Sequence, residues 1–358
     1  MLINRKTRKL SHHHVFDLPH LIPKNYSLIA NNTKVFPARL LGHRPTGGKV
    51  EILLTEPLGH SSYRCISKPG LKTGDVILFP LAQGSDLTGT VLERNSRLQA
   101  EKGPRPRRGR TVPNGYERII KFDQEESTLR TTLSQLGTMP TPPYIKKLLG
   151  NSADYQMIYA KYGFSAAAPT AGLHFTPALL SALKQTHPWL ELTLNVGLGT
   201  FLPVKEDRVE DHHMHSESYT ISPTTATQLQ SYEPCNSSIT SGGHPKQSYD
   251  PCKKLAIGTT TMRALESNVS RCHNVTAGSF STDIFIYPPY RFQIVDALLT
   301  NFHLPASTLL MLVSAFCSAP NSKEKFTTFA DSLLGRAYAE AISLNYRFFS
   351  FGDAMLII

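Results

Sequence analysis

Acidic residues are in deficit in this chain: 27 Asp and Glu stand against 38 Lys and Arg, a formal net charge of +11. A surplus of that size favours a polyanionic partner, nucleic acid first, although simple solubility produces the same balance. Cysteine is sparse. The five residues (Cys65, Cys235, Cys252, Cys272, Cys317) are odd in number and lack CxxC spacing, which argues against a disulfide framework or zinc ribbon and for a reducing cytosol. No apolar run reaches the roughly 18 residues needed to span a bilayer; TLLMLVSAF, from Thr308 to Phe316, predicts a buried helix instead. The opening MLINRKTRKLSHHHVF is basic but has no apolar core after it, so it is not a secretory signal, and His12 to His14 read as a surface segment. No GxGxxG, Walker lysine loop or GxSxG elbow stands in a convincing context, which removes support for dinucleotide oxidoreductases, nucleotide hydrolases and serine hydrolases.

What is present organises into two patterns. With 358 residues, 40% hydrophobic and 18% charged, the chain suits a soluble protein of two domains. From Arg39 to Glu126, short runs such as KVEILLTEPL, LTGTVLERN and YERIIKFD alternate with Gly and Pro, predicting a small β-barrel. Within it Lys102, Arg105, Arg107, Arg108 and Arg110 are mixed with Pro and Gly, a composition that predicts a loop whose charges face solvent or phosphate. From Ser127 onward the pattern is α/β. Thr176 followed by Pro177 predicts a helix start, and LELTLNV a strand. LAIG (Leu255 to Gly258) predicts a strand running into Thr259, Thr260 and Thr261 and then a helix, which gathers hydroxyls and N–H groups at a helix N-terminus. Two more helices, around 308–317 and 323–345, and a strand within RFFSFGDAMLII complete the chain. SYEPC at 231–235 and SYDPC at 248–252 mark a duplicated surface insertion, with a metal or disulfide at Cys235 and Cys252 as the other reading.

The chemistry concentrates between Ala168 and Glu217. EDHHMHSE supplies His212, His213, His215 and Glu217, residue types that suit either a metal or proton transfer. In an extended segment His213, His215 and Glu217 share one face and His212 the other. His174 lies just after Gly172, where a bare backbone can approach a ligand; a structural histidine is the alternative. Asp283 is expected at the start of a strand, followed by Tyr287, Tyr290 and Arg291 around a Pro-Pro turn, a grouping that suits stacking on a base or simply a packed turn. Asn301 and His303 precede a helix beginning near Pro305. Residue chemistry alone therefore gives a basic, cytosolic protein with a His- and acid-rich site.

Taken together, NNTKVFPARL, TGGKVEILL, AAPTAGLHFTPALL, VGLGTFLPVK, DHHMHSE, GTTTMRALES, TDIFIYPPYRF, DALLTNFHLPASTLLMLVSAF and YRFFSFGDAMLI resemble the S-adenosylmethionine:tRNA ribosyltransferase-isomerase family of queuosine biosynthesis. The resemblance runs from FDLP at Phe16 to the C-terminus. It implies a large mixed α/β domain (1–38 and 127–358) with a small β-barrel domain (39–126) inserted in it. It implies transfer and isomerisation of the ribosyl group of S-adenosylmethionine onto 7-aminomethyl-7-deazaguanine at the tRNA wobble position, giving epoxyqueuosine, adenine and methionine, without a metal. A cytoplasmic monomer is expected.

The sulfonium acidifies the neighbouring ribose C5′ hydrogens, so a base must take a proton and adenine must leave with hydrogen-bond or proton help. On that reading His174, His215, Glu217, Asp283 and His303 are the acid–base candidates. Thr170, Gly172, Thr259, Thr260, Thr261 and Arg263 would hold the cofactor; Tyr287, Tyr290 and Arg291 the adenine or modified base; and Arg107 and Arg108 the tRNA backbone. The chain also departs from the family pattern. It lacks a segment that usually precedes its first residues, which implies a missing core strand. Asn32 and Lys34 of NNTK, Asn195 and Leu202 replace residues the family commonly uses. A noncatalytic tRNA-binding homologue and a metal-dependent hydrolase using His212 to Glu217 are the competing readings.

Overall fold

The computed structural model describes residues 1–82, 84–92, 117–141, 145, 152–197, 204, 206–230 and 252–358. Arg107, Arg108, Leu202 and residues 231–251 of the insertion lie outside the described residues. The fold is mixed α/β and divides into two compact units.

One unit comprises Val35–Ser152 and Phe164–Ala167. Its strands close a barrel in the order Glu117–Phe122, Ser62–Lys68, Lys49–Gly59, Arg39–His43, Val76–Phe79 and Leu87–Leu92. Period-two patterning explains the closure, because every second side chain must face inward. Val50, Ile52 and Leu54 alternate with partly exposed neighbours and meet Ile77, Phe79, Val91 and Ile120 in one core. Full burial of each such side chain stabilises by about 2 kcal/mol. Gly89 is required by this packing: a Cβ there would lie 2.5 Å from Ile120 Cδ1. Helix Glu126–Leu136 adds Leu129 and Leu133 to the same core.

The other unit comprises Met1–Lys34, Ala153–Gly163 and Ala168–Ile358. Its nine-stranded sheet runs Gly278–Thr282, Glu217–Ile221, Trp189–Leu194, Tyr26–Asn31, Lys253–Ile257, Ala297–Asn301, Ala354–Ile357, Leu2–Ile3 and Leu10–Ser11. The four strands from Trp189–Leu194 to Ala297–Asn301 are mutually parallel, while Glu217–Ile221 and Ala354–Ile357 pair antiparallel on either side. Tyr26–Asn31 and Ala297–Asn301 are buried at every residue, as expected where both faces of a parallel sheet are covered. The Met1 amine donates to Ala354 O at 2.9 Å, and Leu2–Ile3 extends the sheet beside Ala354–Ile357.

Helix starts follow the chain's local chemistry. Thr176 accepts from Leu179 N at the head of Pro177–Thr186, and Ser307 from Leu310 N at the head of Thr308–Cys317. The expected helix over 323–345 is shorter, spanning only Leu333–Ser343 behind a Ser332 cap. The Thr328 hydroxyl donates to Asp331 and accepts from its N–H, a local turn that competes with helix. Gly335 also sits against that turn, where a Cβ would fall 1.8 Å from Phe329 O. Cys65, Cys272 and Cys317 are free thiols, whereas Cys252 is disulfide-bonded. Among the described residues no helix is long and apolar enough to cross a membrane.

Candidate functional site

Asn31, Leu194, Ile257 and Asn301 are the last residues of four parallel strands, so their following loops share one edge of the sheet. In open α/β sheets this edge is where ligands bind. Glu217 begins, and Thr282 ends, antiparallel strands on the same edge, which brings the segments around Glu217 and Asp283 there too. The sheet topology therefore collects stretches that are far apart in sequence.

Asn31 anchors the middle. Its amide donates to Leu194 O (3.0 Å) and Thr260 Oγ1 (3.3 Å), while its Oδ1 accepts from Leu194 N and Thr33 N. Helix Thr259–Cys272 starts immediately after Gly258, whose φ of 86° is readily available only to glycine. Among the described residues no side chain caps this helix, leaving first-turn N–H groups able to receive an anion or a lone pair. The Thr261 hydroxyl donates back to Ile257 O at 2.7 Å, so it is occupied within the helix. The turn Thr170–His174 lies close by: a Cβ at Gly258 would be 3.7 Å from Ala171 Cβ.

That turn is fastened through Asn301. Thr170 Oγ1 donates to Asn301 Oδ1 at 3.2 Å, and Asn301 Nδ2 lies 3.1 Å from His174 Nε2 and 3.1 Å from Phe349 O. Burial holds His174 below the ordinary histidine range; Asp353 opposes this weakly, and Arg347 and the N-terminal amine reinforce it. His303 stands beside the neighbouring residue, its Nε2 3.0 Å from Thr300 Oγ1, and burial pushes its pKa down to about 4. Both rings are consequently uncharged near neutral pH. They depend on Thr300 and Asn301, which alternate across the strand, and the two rings do not bond each other.

Glu217 and Arg263 form a buried ion pair, with side chains 3% and 2% exposed. Glu217 Oε1 also accepts from Gly197 N at 2.8 Å. The pair thus ties strand and helix to Gly197. Among the described residues, Arg263 Nε and Nη2 have no hydrogen-bond partner. Gly172 is buried against Tyr159, with a Cβ there falling 2.2 Å from the Tyr159 hydroxyl; a close-packing requirement therefore accounts for this glycine.

Other expected residues are placed differently. His213 and His215 are exposed whereas Glu217 is buried, because the strand begins only at Glu217 and the residues before it do not share its alternation. His212 bonds Glu206 at 2.9 Å. Among the described residues no group of three or more His, Cys, Asp or Glu is arranged to hold a metal. Asp283 does not start a strand; it is exposed just after Gly278–Thr282 ends. Tyr287 is half-buried beside Phe285, with ring centroids 5.0 Å apart, and Arg291 is exposed. Tyr290 points its hydroxyl to Glu266 at 3.3 Å.

Glu266 was not singled out in the sequence. It is fully buried and also accepts from the backbone N–H groups of Gln293, Ile294 and Val295 at 2.8–3.1 Å, fixing the YPPYRF segment. Asn301 and Asn31 carried little signal beyond lying at strand ends. None of the candidate site residues lines the open cavity of about 700 Å³ formed around Lys161, Trp189, Glu191 and Thr225.

A mixed parallel and antiparallel sheet, with helix Thr259–Cys272 and the two histidines placed at its strand-end edge, defines the α/β class. A family model described as "Queuosine biosynthesis protein" matches residues 1–357, and the chain belongs to that family. It is 40% identical over 360 residues to the S-adenosylmethionine:tRNA ribosyltransferase-isomerase of Thermoanaerobacter sp. (strain X514), covering 100% of this chain and 92% of that protein. It is 41% identical over 362 residues to the protein of the same name from Symbiobacterium thermophilum, with the same coverage. A crystal structure of S-adenosylmethionine tRNA ribosyltransferase from Thermotoga maritima is 29% identical, with a TM-score of 0.46, covering 100% of this chain and 91% of that one.

Proposed function

We propose that this chain is an S-adenosylmethionine:tRNA ribosyltransferase-isomerase that moves the ribosyl group of S-adenosylmethionine onto 7-aminomethyl-7-deazaguanine at the tRNA wobble position, yielding epoxyqueuosine, adenine and methionine. Family membership over residues 1–357 supports it, together with one observation: His174, His303 and an uncapped helix N-terminus stand on the same strand-end edge.

The first-turn N–H groups of Thr259–Cys272 suit a polar or anionic part of the cofactor, with Thr170 and Gly172 in the turn beside it. The neutral imidazoles of His174 and His303 suit hydrogen bonding and proton movement without placing a cation beside the sulfonium. Their uncharged state disfavours a direct acid role for either ring. His215 and Asp283, exposed near the entrance of Glu217–Ile221, are further candidates to take a proton. Glu217, paired with Arg263, acts as a structural anion and orients Gly197. Tyr287 and Arg291 offer a ring and a cation to a base, and the surplus of positive charge suits tRNA. The protein is read as a cytoplasmic monomer that needs no metal.

Mass spectrometry of nucleosides from tRNA carrying 7-aminomethyl-7-deazaguanine, after incubation with the chain and S-adenosylmethionine, tests this. Epoxyqueuosine with stoichiometric adenine is expected. Tight tRNA binding with no product would instead identify a noncatalytic binder.

A further inference from the structure

We infer that Asn301 is a positioning residue that locks His174 as the neutral Nδ1–H tautomer, so that the ring meets its ligand as a hydrogen-bond donor through Nδ1. The argument begins at Phe349, whose backbone carbonyl can only accept. The Asn301 group 3.1 Å from that oxygen must be its NH₂ end. The same nitrogen lies 3.1 Å from His174 Nε2, so Nε2 must supply a lone pair and the ring proton must sit on Nδ1. Thr170 completes the assignment by donating to Asn301 Oδ1.

Phe349 adds a second line of support. Its φ of 72° lies in the left-handed region, an uncommon state for a bulky aromatic residue that persists where surrounding structure enforces it. Here Phe349 N donates to Phe302 O at 3.1 Å, while its carbonyl is turned to Asn301. Both bonds reach the strand end that carries the site.

The charged groups around the ring are Asp353, Arg347 and the Met1 amine. Protonating Nε2 would set its N–H against the Asn301 N–H, so the bond survives only while the ring is neutral. His174 Nδ1 makes no hydrogen bond to a described residue and the ring is only partly buried, which leaves this donor open to a ligand. Given the proposed reaction, a neutral donor suits the heterocycle that departs, because it can stabilise developing charge on a ring nitrogen without first being charged itself. That last step rests on the function proposed above; the tautomer assignment does not.

The test uses the full chain labelled with ¹⁵N-histidine, with His174 assigned by its loss in His174→Gln. Multiple-bond ¹H–¹⁵N spectra at pH 7.5 are expected to show a protonated Nδ1 and an unprotonated Nε2. Asn301→Asp replaces the donor by a carboxylate, so Nε2 should take the proton and the His174 pKa should rise. kcat should fall by roughly 10²-fold, with KM for S-adenosylmethionine little changed. A protonated Nε2 in the wild-type spectrum overturns the inference, as does an Asn301→Asp spectrum that keeps the original tautomer. If Asn301→Asp does not fold, the wild-type spectrum alone decides. Because these spectra need no turnover, lack of ribosyl transfer counts against the proposed function and leaves the tautomer result standing.

Discussion

Arg263 Nη1 donates to Glu217 Oε2 across the interior of the large unit, with both side chains nearly inaccessible to solvent. The helix that carries Arg263 also presents its first-turn N–H groups to the strand-end edge, so this pair sets the position of the helix against strand Glu217–Ile221. Removing one partner strands the other charge, which costs about 3–5 kcal/mol. Arg263→Met and Glu217→Leu singly should therefore each lower the denaturant midpoint strongly, and the double variant should lose less than their sum. Additive losses in the double-mutant cycle would show that the two groups are not coupled.

His174 and His303 should make stability fall on acidification. Both have folded-state pKa values below the unfolded value near 6.5, His303 at about 4. Above 6.5 neither state binds a proton; as pH falls from 6.5 toward 4 the unfolded chain takes protons that the folded chain refuses. Stability is then lost at up to about 1.4 kcal/mol per pH unit through His303, with His174 contributing in the same direction. His303→Gln should flatten the curve between pH 6.5 and 4. Urea unfolding across that range measures it, and an unchanged slope would remove His303 as a contributor.

Gly172→Ala should destabilise by about 1–3 kcal/mol through overpacking, because its Cβ meets the Tyr159 hydroxyl at 2.2 Å and Met157 Cγ at 2.5 Å. Tyr159→Phe in the same chain should restore part of the loss, as one of the two clashes disappears. Thermal melts of the two single variants and the double variant give the answer; no recovery would place the strain elsewhere.

Glu266→Ala should free the YPPYRF segment, since four donors lose one acceptor. Each buried donor left unpaired costs about 1–3 kcal/mol. Amide exchange at Gln293, Ile294 and Val295 should accelerate by more than at strand Ala297–Asn301. Equal acceleration would mean that Glu266 supports the whole unit instead of this segment.

Charge reversal at Arg107, Arg108 and Arg291 should weaken tRNA binding. If each contacts a phosphate, each should also reduce the salt slope of log K by roughly one. Titrations at several salt concentrations, with unmodified tRNA, separate the three; a variant with wild-type affinity and slope has no phosphate contact.

Much of the architecture was legible because it is written in short-range patterns. The period-two runs of Lys49–Gly59 and Leu87–Leu92, the Thr176–Pro177 helix start and the LAIG–Thr259 junction all depend on neighbours within a few residues. The 323–345 segment was misread because the Thr328–Asp331 turn and the close approach at Gly335 interrupt an otherwise helical composition. His215 was grouped with Glu217 on the assumption of a continuous strand, and that strand starts at Glu217, two residues after His215.

The sequence by itself determined the barrel's alternation, the capped helices and the residue types available for proton transfer, because backbone periodicity and capping are local. It also carried the family resemblance in motifs that need no coordinates. Only the tertiary structure decided which of those residues work together. Glu217 meets Arg263 46 positions away, and Asn301 meets His174 127 positions away, because strand order brings their segments to one edge. The lowered pKa of His174 has the same origin, because burial is not a local property of the chain.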